Sequence, residues 1–526
     1  MKEISIIPQP QSITVLDGTT KLSNISSIVP ANKKKEERYI CLLFKELLNK
    51  KYKIKLINDS LPIENTITIS LDQKFDIKNE GYELIIKQNS IRLRATTYGG
   101  LFYGYQSFYQ IFKTNNTQNN NSSRELLNCK IIDYPKFGYR GMHLDVSRHF
   151  FDVTFIKTYI DMIAIHKMNV FHWHLTDDNG WRIEIDKYPE LTKTAAWRVD
   201  RTKQYWKDQS PIKPDEKASY GGYYSKYEIK EVIDYAAKKN IRIIPEIEMP
   251  GHTSEVFACY PELSCKGDYL NVQPGTYWPG VDIFCAGNDA VFKFLEDILD
   301  EVIDLFPGEY IHIGGDEADK KFWKKCPKCQ SRIKKENLKN EDQLQSWFIK
   351  KIEKYILEKN KKLVGWDEIL EGGLAKSATV MSWRGYEGGI ESAKSGHDVI
   401  MCPISHCYFD YYQADPKISP KAFDGYTNLE KVYSFNPVPK ELTEKESKHI
   451  IGGQGNLWTE FVQEPRMAQY RVLPRMSALS EVLWSGPGKN EYKGFLKRLN
   501  FLMVEFKKLN WNCAPHSFEL YTPIKR

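Results

Sequence analysis

Sulfur is scarce in this chain. Ten cysteines among 526 residues cannot form the dense disulfide framework that holds small secreted domains together. Two of them, Cys326 and Cys329, make a lone CxxC in "CPKCQ". A metal site would want a second pair nearby, and none is evident, so an incidental or structural pair is expected. No apolar run approaches the roughly 20 residues that a membrane span needs. The opening "MKEISIIPQPQS" lacks the apolar core of a secretory leader. The expected location is cytoplasmic, or periplasmic or secreted if a signal peptide has been removed. No glycine-rich phosphate fingerprint follows an early strand, and no nucleophile elbow is present. Neither sign of charge dominates: 75 Lys and Arg against 68 Asp and Glu leave a net +7. Scattered lysines of this kind make a solvated surface rather than a nucleic-acid stripe.

What the chain has in quantity is aromatic residues, 13% of the total with 12 Trp and 31 Tyr. The 41% hydrophobic content is enough for one large domain and a smaller one. Residues 1–135 read as a separate α+β unit. "NTITISLD" and "YELIIKQNSIRLRAT" alternate like half-buried strands, and "GGLFYGYQSFYQIF" reads as a helix. The polar, low-complexity run Lys113 to Glu125 is expected as a loop.

From Gly138 the pattern becomes strand, loop, helix, repeated. Strand candidates are "YRGMHLDVS", "MNVFHWHLTD", "IRIIPEIEMP", "YIHIGGDE", "KLVGWDEI", "TVMSWRG", "DVIMCPISHCYF" and "IIGGQGNLW". Ser225-x-x-Glu228 is a capping box opening a helix, Val291 to Ile303 a second amphipathic helix, and Trp347 to Leu357 a third. Eight strands alternating with helices predict a (β/α)₈ TIM barrel over residues 136–526, with a helical segment at its C-terminal end. A doubly wound open sheet is the alternative.

Barrel active sites collect at the C-terminal strand ends, and here those ends carry acids and tryptophans. In order they are Asp145 with Arg148, Asp177 with Asp178, Glu248 with His252, and Asp316 with Glu317. After them come Trp366 with Asp367 and Glu368, then Trp383, Tyr408 with Asp410, and Trp458 with Glu460. One tryptophan alone is usually core. Three at equivalent strand ends point to a pocket that stacks on a ring. Carboxylates accept hydrogen bonds from hydroxyls, indoles cover sugar C–H faces, and a carboxylic acid protonates a glycosidic oxygen. That chemistry points to glycoside hydrolysis.

The ordered set "RGMHLDVSRHF", "NVFHWHLTDD", "PEIEMPGH", "HIGGDE" and "LWTE" resembles glycoside hydrolase family 20, the β-N-acetylhexosaminidases. The resemblance runs from about Arg140 to Trp484, and the N-terminal unit resembles the small domain that precedes the family's barrel. It implies an exo-acting, retaining enzyme that hydrolyses terminal β-linked N-acetylglucosamine or N-acetylgalactosamine from oligosaccharides or glycoconjugates. The substrate's own acetamido oxygen would be the nucleophile, through an oxazolinium intermediate, which departs from the usual two-carboxylate scheme. By the same resemblance Glu317 is the general acid/base, and Asp316 holds the acetamido N–H. Tyr408 binds the acetamido carbonyl. Trp366, Trp383 and Trp458 wall the sugar. Arg148, Asp410 and Glu460 bind its hydroxyls, and His252 with Asp177 supports Glu317. Two close acids are expected to push their pKa values apart and keep Glu317 protonated. Cys265 and Cys285 fall where some relatives carry a disulfide. No metal or cofactor is expected.

Lacto-N-biosidases and sulfated-sugar-specific members of the same family are narrower alternatives. A rival from another class is a metal-dependent barrel hydrolase built on His172 and His174, with His143, His252 and His312 as further ligands. A third reading is a catalytically inert sugar-binding barrel.

Overall fold

The structure is a computed structural model that describes residues 4–49, 52, 54–56, 64–118, 125–275 and 282–515. Its N-terminal unit is a seven-stranded mixed sheet. The strand order is Ser12–Lys21, Glu125–Asp133, Tyr82–Lys87, Ser90–Ala95, Thr66–Leu71, Ser27–Pro30, Lys55–Leu56. Tyr82, Leu84 and Ile86 alternate inward, as do Ile91, Leu93 and Ala95. Gln88 and Asn89 close this hairpin, both with positive φ (51° and 56°), as a two-residue turn that follows the sheet's twist requires. Helices Lys35–Asn49 and Tyr98–Gln118 pack against the sheet. The run expected as a loop from Lys113 is helical as far as Gln118 and becomes a strand at Glu125. Residues 119–124 lie outside the described residues. Once a helix is nucleated each added residue closes another backbone hydrogen bond, so the polar stretch continues the apolar one.

All eight expected barrel strands form, and we number them β1 Tyr139–Asp145, β2 Val170–His174, β3 Arg242–Glu246, β4 Tyr310–His312, β5 Lys362–Trp366, β6 Thr379–Ser382, β7 Val399–Met401 and β8 Ile450–Gly455. Neighbouring strands pair in parallel, and β8 closes on β1 through Gly452 opposite Tyr139. With helices outside and side chains within, every residue of β1 and β2 is buried. That is why these strands read as continuous runs instead of alternating ones. Ser225 and Glu228 form the expected capping box. The helix expected from Trp347 begins earlier, at Glu341, because Asn340 caps it by accepting from the Gln343 N–H at 3.0 Å.

A buried polar cluster joins the two units. The Asp133 carboxylate, at the end of an N-terminal strand, meets Lys167 Nζ at 2.8 Å and accepts from Trp484 Nε1 at 2.8 Å and from the Tyr82 hydroxyl at 2.6 Å. Arg140 of β1 reaches Glu80 at 2.9 Å. Among the described residues, no helix is long and apolar enough to cross a membrane.

Candidate active site

The strand β4 ends at His312 and the backbone turns at once. Gly314 and Gly315 have φ of +66° and +93°, and Glu317 itself has φ of +45°. Only glycine takes the first two conformations at no cost. A Cβ at Gly314 would overlap the Glu248 carboxylate, and one at Gly315 would press on Ile369. This turn brings two carboxylates adjacent in sequence, Asp316 and Glu317, to the same cavity. Glu317 pays for its position with a left-handed backbone, a strain of the kind that persists where surrounding structure enforces it.

That cavity, of about 410 Å³, opens at the C-terminal strand ends. Arg148, His252, Asp316, Glu317, Trp366, Trp383, Tyr408, Asp410, Trp458 and Glu460 all line it. Asp177 stands just behind, 2.8 Å from Arg148 Nη2 and 2.8 Å from His174 Nε2. The three tryptophans come from the ends of β5, β6 and β8. The indoles of Trp366 and Trp458 lie 5.8 Å apart at 46°, and Trp383 stacks 6.0 Å from Tyr408 at 24°. Two of the indoles are held by carboxylates: Trp366 Nε1 donates to Glu246 at 2.8 Å, and Trp383 Nε1 to Glu368 at 3.0 Å. The Arg148 guanidinium sits 5.2 Å over the Trp458 ring.

Several polar atoms in this wall are buried and have no hydrogen-bond partner among the described residues: Asp316 Oδ1, Asp410 Oδ1 and Glu460 Oε2. Leaving a buried acceptor unpaired costs about 1–3 kcal/mol, so a wall built with three is a wall shaped for donors that arrive with a ligand. Burial pushes the Asp316 carboxyl up to about 7, with Glu317 adding to the rise and His252 opposing it. Burial also raises Glu460 to about 7 against the pull of Arg148, and raises Asp410 well above the usual carboxylate range, helped by Glu460.

His252 is the hub behind the acids. Its Nε2 lies 3.4 Å from Glu317 Oε2 and 3.6 Å from Asp316 Oδ2. Its Nδ1 faces two carboxylates, Asp178 at 3.2 Å and Asp177 at 3.3 Å. Despite burial, those carboxylates hold the imidazole well above its ordinary pKa, which favours its charged form. The dyad expected from the sequence is thus a cluster, with Asp178 a partner that the sequence reading had not assigned. Asp145 is structural in its contacts: it accepts the Ser147 N–H at 2.8 Å and the Thr459 N–H at 3.1 Å, tying the β1 and β8 loops together.

Of the histidines of the rival reading, His252 stands in the cavity wall, whereas His143, His172, His174 and His312 gather below it around one carboxylate, Glu246. His172 Nε2 lies 3.0 Å from Glu246, His312 Nδ1 2.8 Å from it, and His174 Nδ1 is bonded to it too. Despite burial, the three imidazoles hold Glu246 well below the carboxylate range. Their ring nitrogens serve this anion, which anchors Trp366 in turn. Trp206, Gln273, Tyr411 and Phe423 also line the cavity without having been singled out in the sequence. Trp206, Tyr411 and Phe423 stand on elements of two to four residues and Gln273 on an irregular stretch, all too short for a periodicity to mark them.

Comparison with known proteins agrees with this arrangement. The catalytic-domain profile of glycosyl hydrolase family 20 matches residues 137–487, and the profile of that family's domain 2 matches residues 3–134. A β-hexosaminidase of Porphyromonas gingivalis is 40% identical over 508 residues; the alignment spans 95% of this chain but 63% of that protein's length. The crystal structure of a β-N-acetylhexosaminidase from Bacteroides fragilis superposes with a TM-score of 0.82 at 29% identity, covering 98% of this chain and 99% of that one. A mutant Streptomyces plicatus β-hexosaminidase in complex with its product GlcNAc superposes with a TM-score of 0.83 at 26% identity, covering 98% and 97%. The chain belongs to glycosyl hydrolase family 20, with that family's domain 2 standing ahead of its catalytic barrel.

Proposed function

We propose that this protein is an exo-acting, retaining β-N-acetylhexosaminidase. It would remove terminal β-linked N-acetylglucosamine or N-acetylgalactosamine from glycans with the substrate's acetamido group as nucleophile. The observation that carries this reading is the turn at Gly314–Glu317, which delivers two adjacent carboxylates to one aromatic-walled cavity. Relatives named β-hexosaminidase and a neighbour bound to GlcNAc support it.

In this mechanism the acetamido oxygen attacks C1 while Glu317 gives its proton to the glycosidic oxygen, and the C1–O bond breaks. Glu317, now a carboxylate, takes a proton from the water that opens the oxazolinium ring, and two inversions at C1 leave the configuration retained. Glu317 is the more exposed of the pair, with a third of its side chain open, as proton exchange with a leaving group and then water requires. Asp316 is placed to accept from the acetamido N–H. Its ionised form is disfavoured by burial in the free protein and would be favoured once positive charge develops on the acetamido group. Stabilisation therefore grows toward the transition state, which is where it accelerates the reaction. Arg148, Asp410 and Glu460 would bind the ring hydroxyls at the closed end. That arrangement suits a single terminal sugar and favours exo-action over release of a disaccharide.

The test compares 4-nitrophenyl β-N-acetylglucosaminide with the plain β-glucoside, using wild type and Glu317→Gln. Turnover of the acetamido substrate alone, unchanged by EDTA and inhibited by an N-acetylglucosamine-derived thiazoline, is the expected result. Equal cleavage of both sugars would sink the acetamido mechanism.

A further inference from the structure

Four cysteines far apart in the sequence meet in space. Cys265 and Cys285 come from the connection after β3, and Cys326 and Cys329 from the connection after β4. The sulfur of Cys285 lies 3.6 Å from that of Cys326 and 3.6 Å from that of Cys329, and Cys265 lies 3.8 Å from Cys329. All four sulfurs fall within 4.8 Å of one another. A disulfide brings two sulfurs to about 2.05 Å, and every cysteine here is free. The expectations of an isolated CxxC and of a Cys265–Cys285 pair thus give way to one four-sulfur cluster. Sulfurs arranged tetrahedrally about 2.3 Å from a central zinc stand roughly 3.8 Å apart, and the observed separations match that spacing.

We propose that Cys265, Cys285, Cys326 and Cys329 bind one zinc ion as a structural tetrathiolate centre. Three of the four residues are buried and Cys265 is half-buried, as befits a closed structural site without an open coordination position. Cys326 caps the helix Pro327–Lys335, so Cys329 follows one turn later on the same side. Gly287 lets the Cys285 segment lie against this turn, because a Cβ there would overlap the backbone of Lys328 and Cys329. Binding breaks four S–H bonds, releases four protons to solvent and forms four Zn–S bonds. The centre then carries two net negative charges. Lys266 follows Cys265 in the sequence and Lys328 precedes Cys329.

The centre would be a clamp for the catalytic cavity. Cys265 and Cys285 bracket the connection that carries Gln273 and Gly275 to the cavity wall, while Cys326 follows the turn bearing Asp316 and Glu317. A disulfide between Cys265 and Cys285 would close only the first of these connections. Four ligands tie the two connections to each other.

The test is metal analysis of the full, untagged chain by mass spectrometry, independent of any assay of activity. One zinc per chain is expected after gel filtration, with release on adding a mercurial read by a chromogenic chelator. In Cys326→Ser/Cys329→Ser the zinc content should fall about tenfold or more. Cys259→Ser, which changes a half-buried cysteine outside the cluster, should keep it. Wild-type protein free of zinc after growth in zinc-supplemented medium would overturn the proposal. So would an intact mass short of four hydrogens, one iron per chain in place of zinc, or zinc retained by the double variant.

Discussion

His252 holds its Nε2 3.4 Å from Glu317 Oε2 from a backbone that is itself left-handed, with φ of +53°. Both ends of this contact are conformations an ordinary residue avoids, and the two connections that carry them meet only when the barrel is folded. Removing the imidazole should leave sugar binding intact and weaken the acid behind it. In His252→Ala, kcat should fall about 10- to 100-fold while KM changes less than about threefold. Steady-state kinetics on the chromogenic substrate would decide it; an unchanged kcat would mean that the histidine only fastens two loops.

Glu317→Gln removes the proton that the leaving oxygen needs, so the loss should depend on the leaving group. For 4-nitrophenolate, which departs without help, kcat/KM should drop about 100-fold, and for an unactivated disaccharide about 10⁴-fold. Equal losses on the two substrates would show that Glu317 does something other than protonate.

Asp316 couples pH to stability with a definite sign. Its carboxyl rises from 3.8 to about 7 on folding, so the stability it contributes is complete below pH 3.8 and is lost as pH climbs through 7. Above that, holding the buried anion costs roughly 4 kcal/mol. Asp316→Asn should accordingly raise the melting temperature at pH 8 and leave it nearly unchanged at pH 4. It should also lower kcat by about 100-fold or more. A variant less stable than wild type at pH 8 would contradict this reading.

Gly314→Ala would test the turn directly. The added methyl meets the Glu248 carboxylate, and its φ of +66° is one that alanine avoids. A loss on the order of 2–4 kcal/mol in stability and most of the activity is expected, measured by denaturant unfolding alongside turnover.

Much of this architecture could be read from residue patterns, and for a physical reason. Parallel strands buried on both faces carry few exposed-type residues and do not alternate, so "VFHWH" and its counterparts stand out, and the acids and tryptophans that end them line the cavity. Patterns along the chain fail where position depends on a turn or on distant segments. Asp177 and Asp178 are neighbours at a tight hairpin, Thr176–Asp177 pairing with Gly180–Trp181. Both face His252, but which of them also meets Arg148 and which is open to solvent is set by that hairpin, not by spacing. The cysteines show the same limit, since Cys265 and Cys285 reach the CxxC only through the packing of two connections.

The Asp133 carboxylate belongs to neither unit alone: it neutralises Lys167 and accepts from Trp484 inside the seam between sheet and barrel. Breaking such a buried pair from one side costs about 3–5 kcal/mol. A barrel trimmed of its first domain would lose Asp133 and Tyr82, the two groups that meet the Lys167 ammonium, and open that face to water. Any exchange between relatives that preserved folding would have to transmit Asp133, Lys167 and Trp484 together, as a single heritable unit.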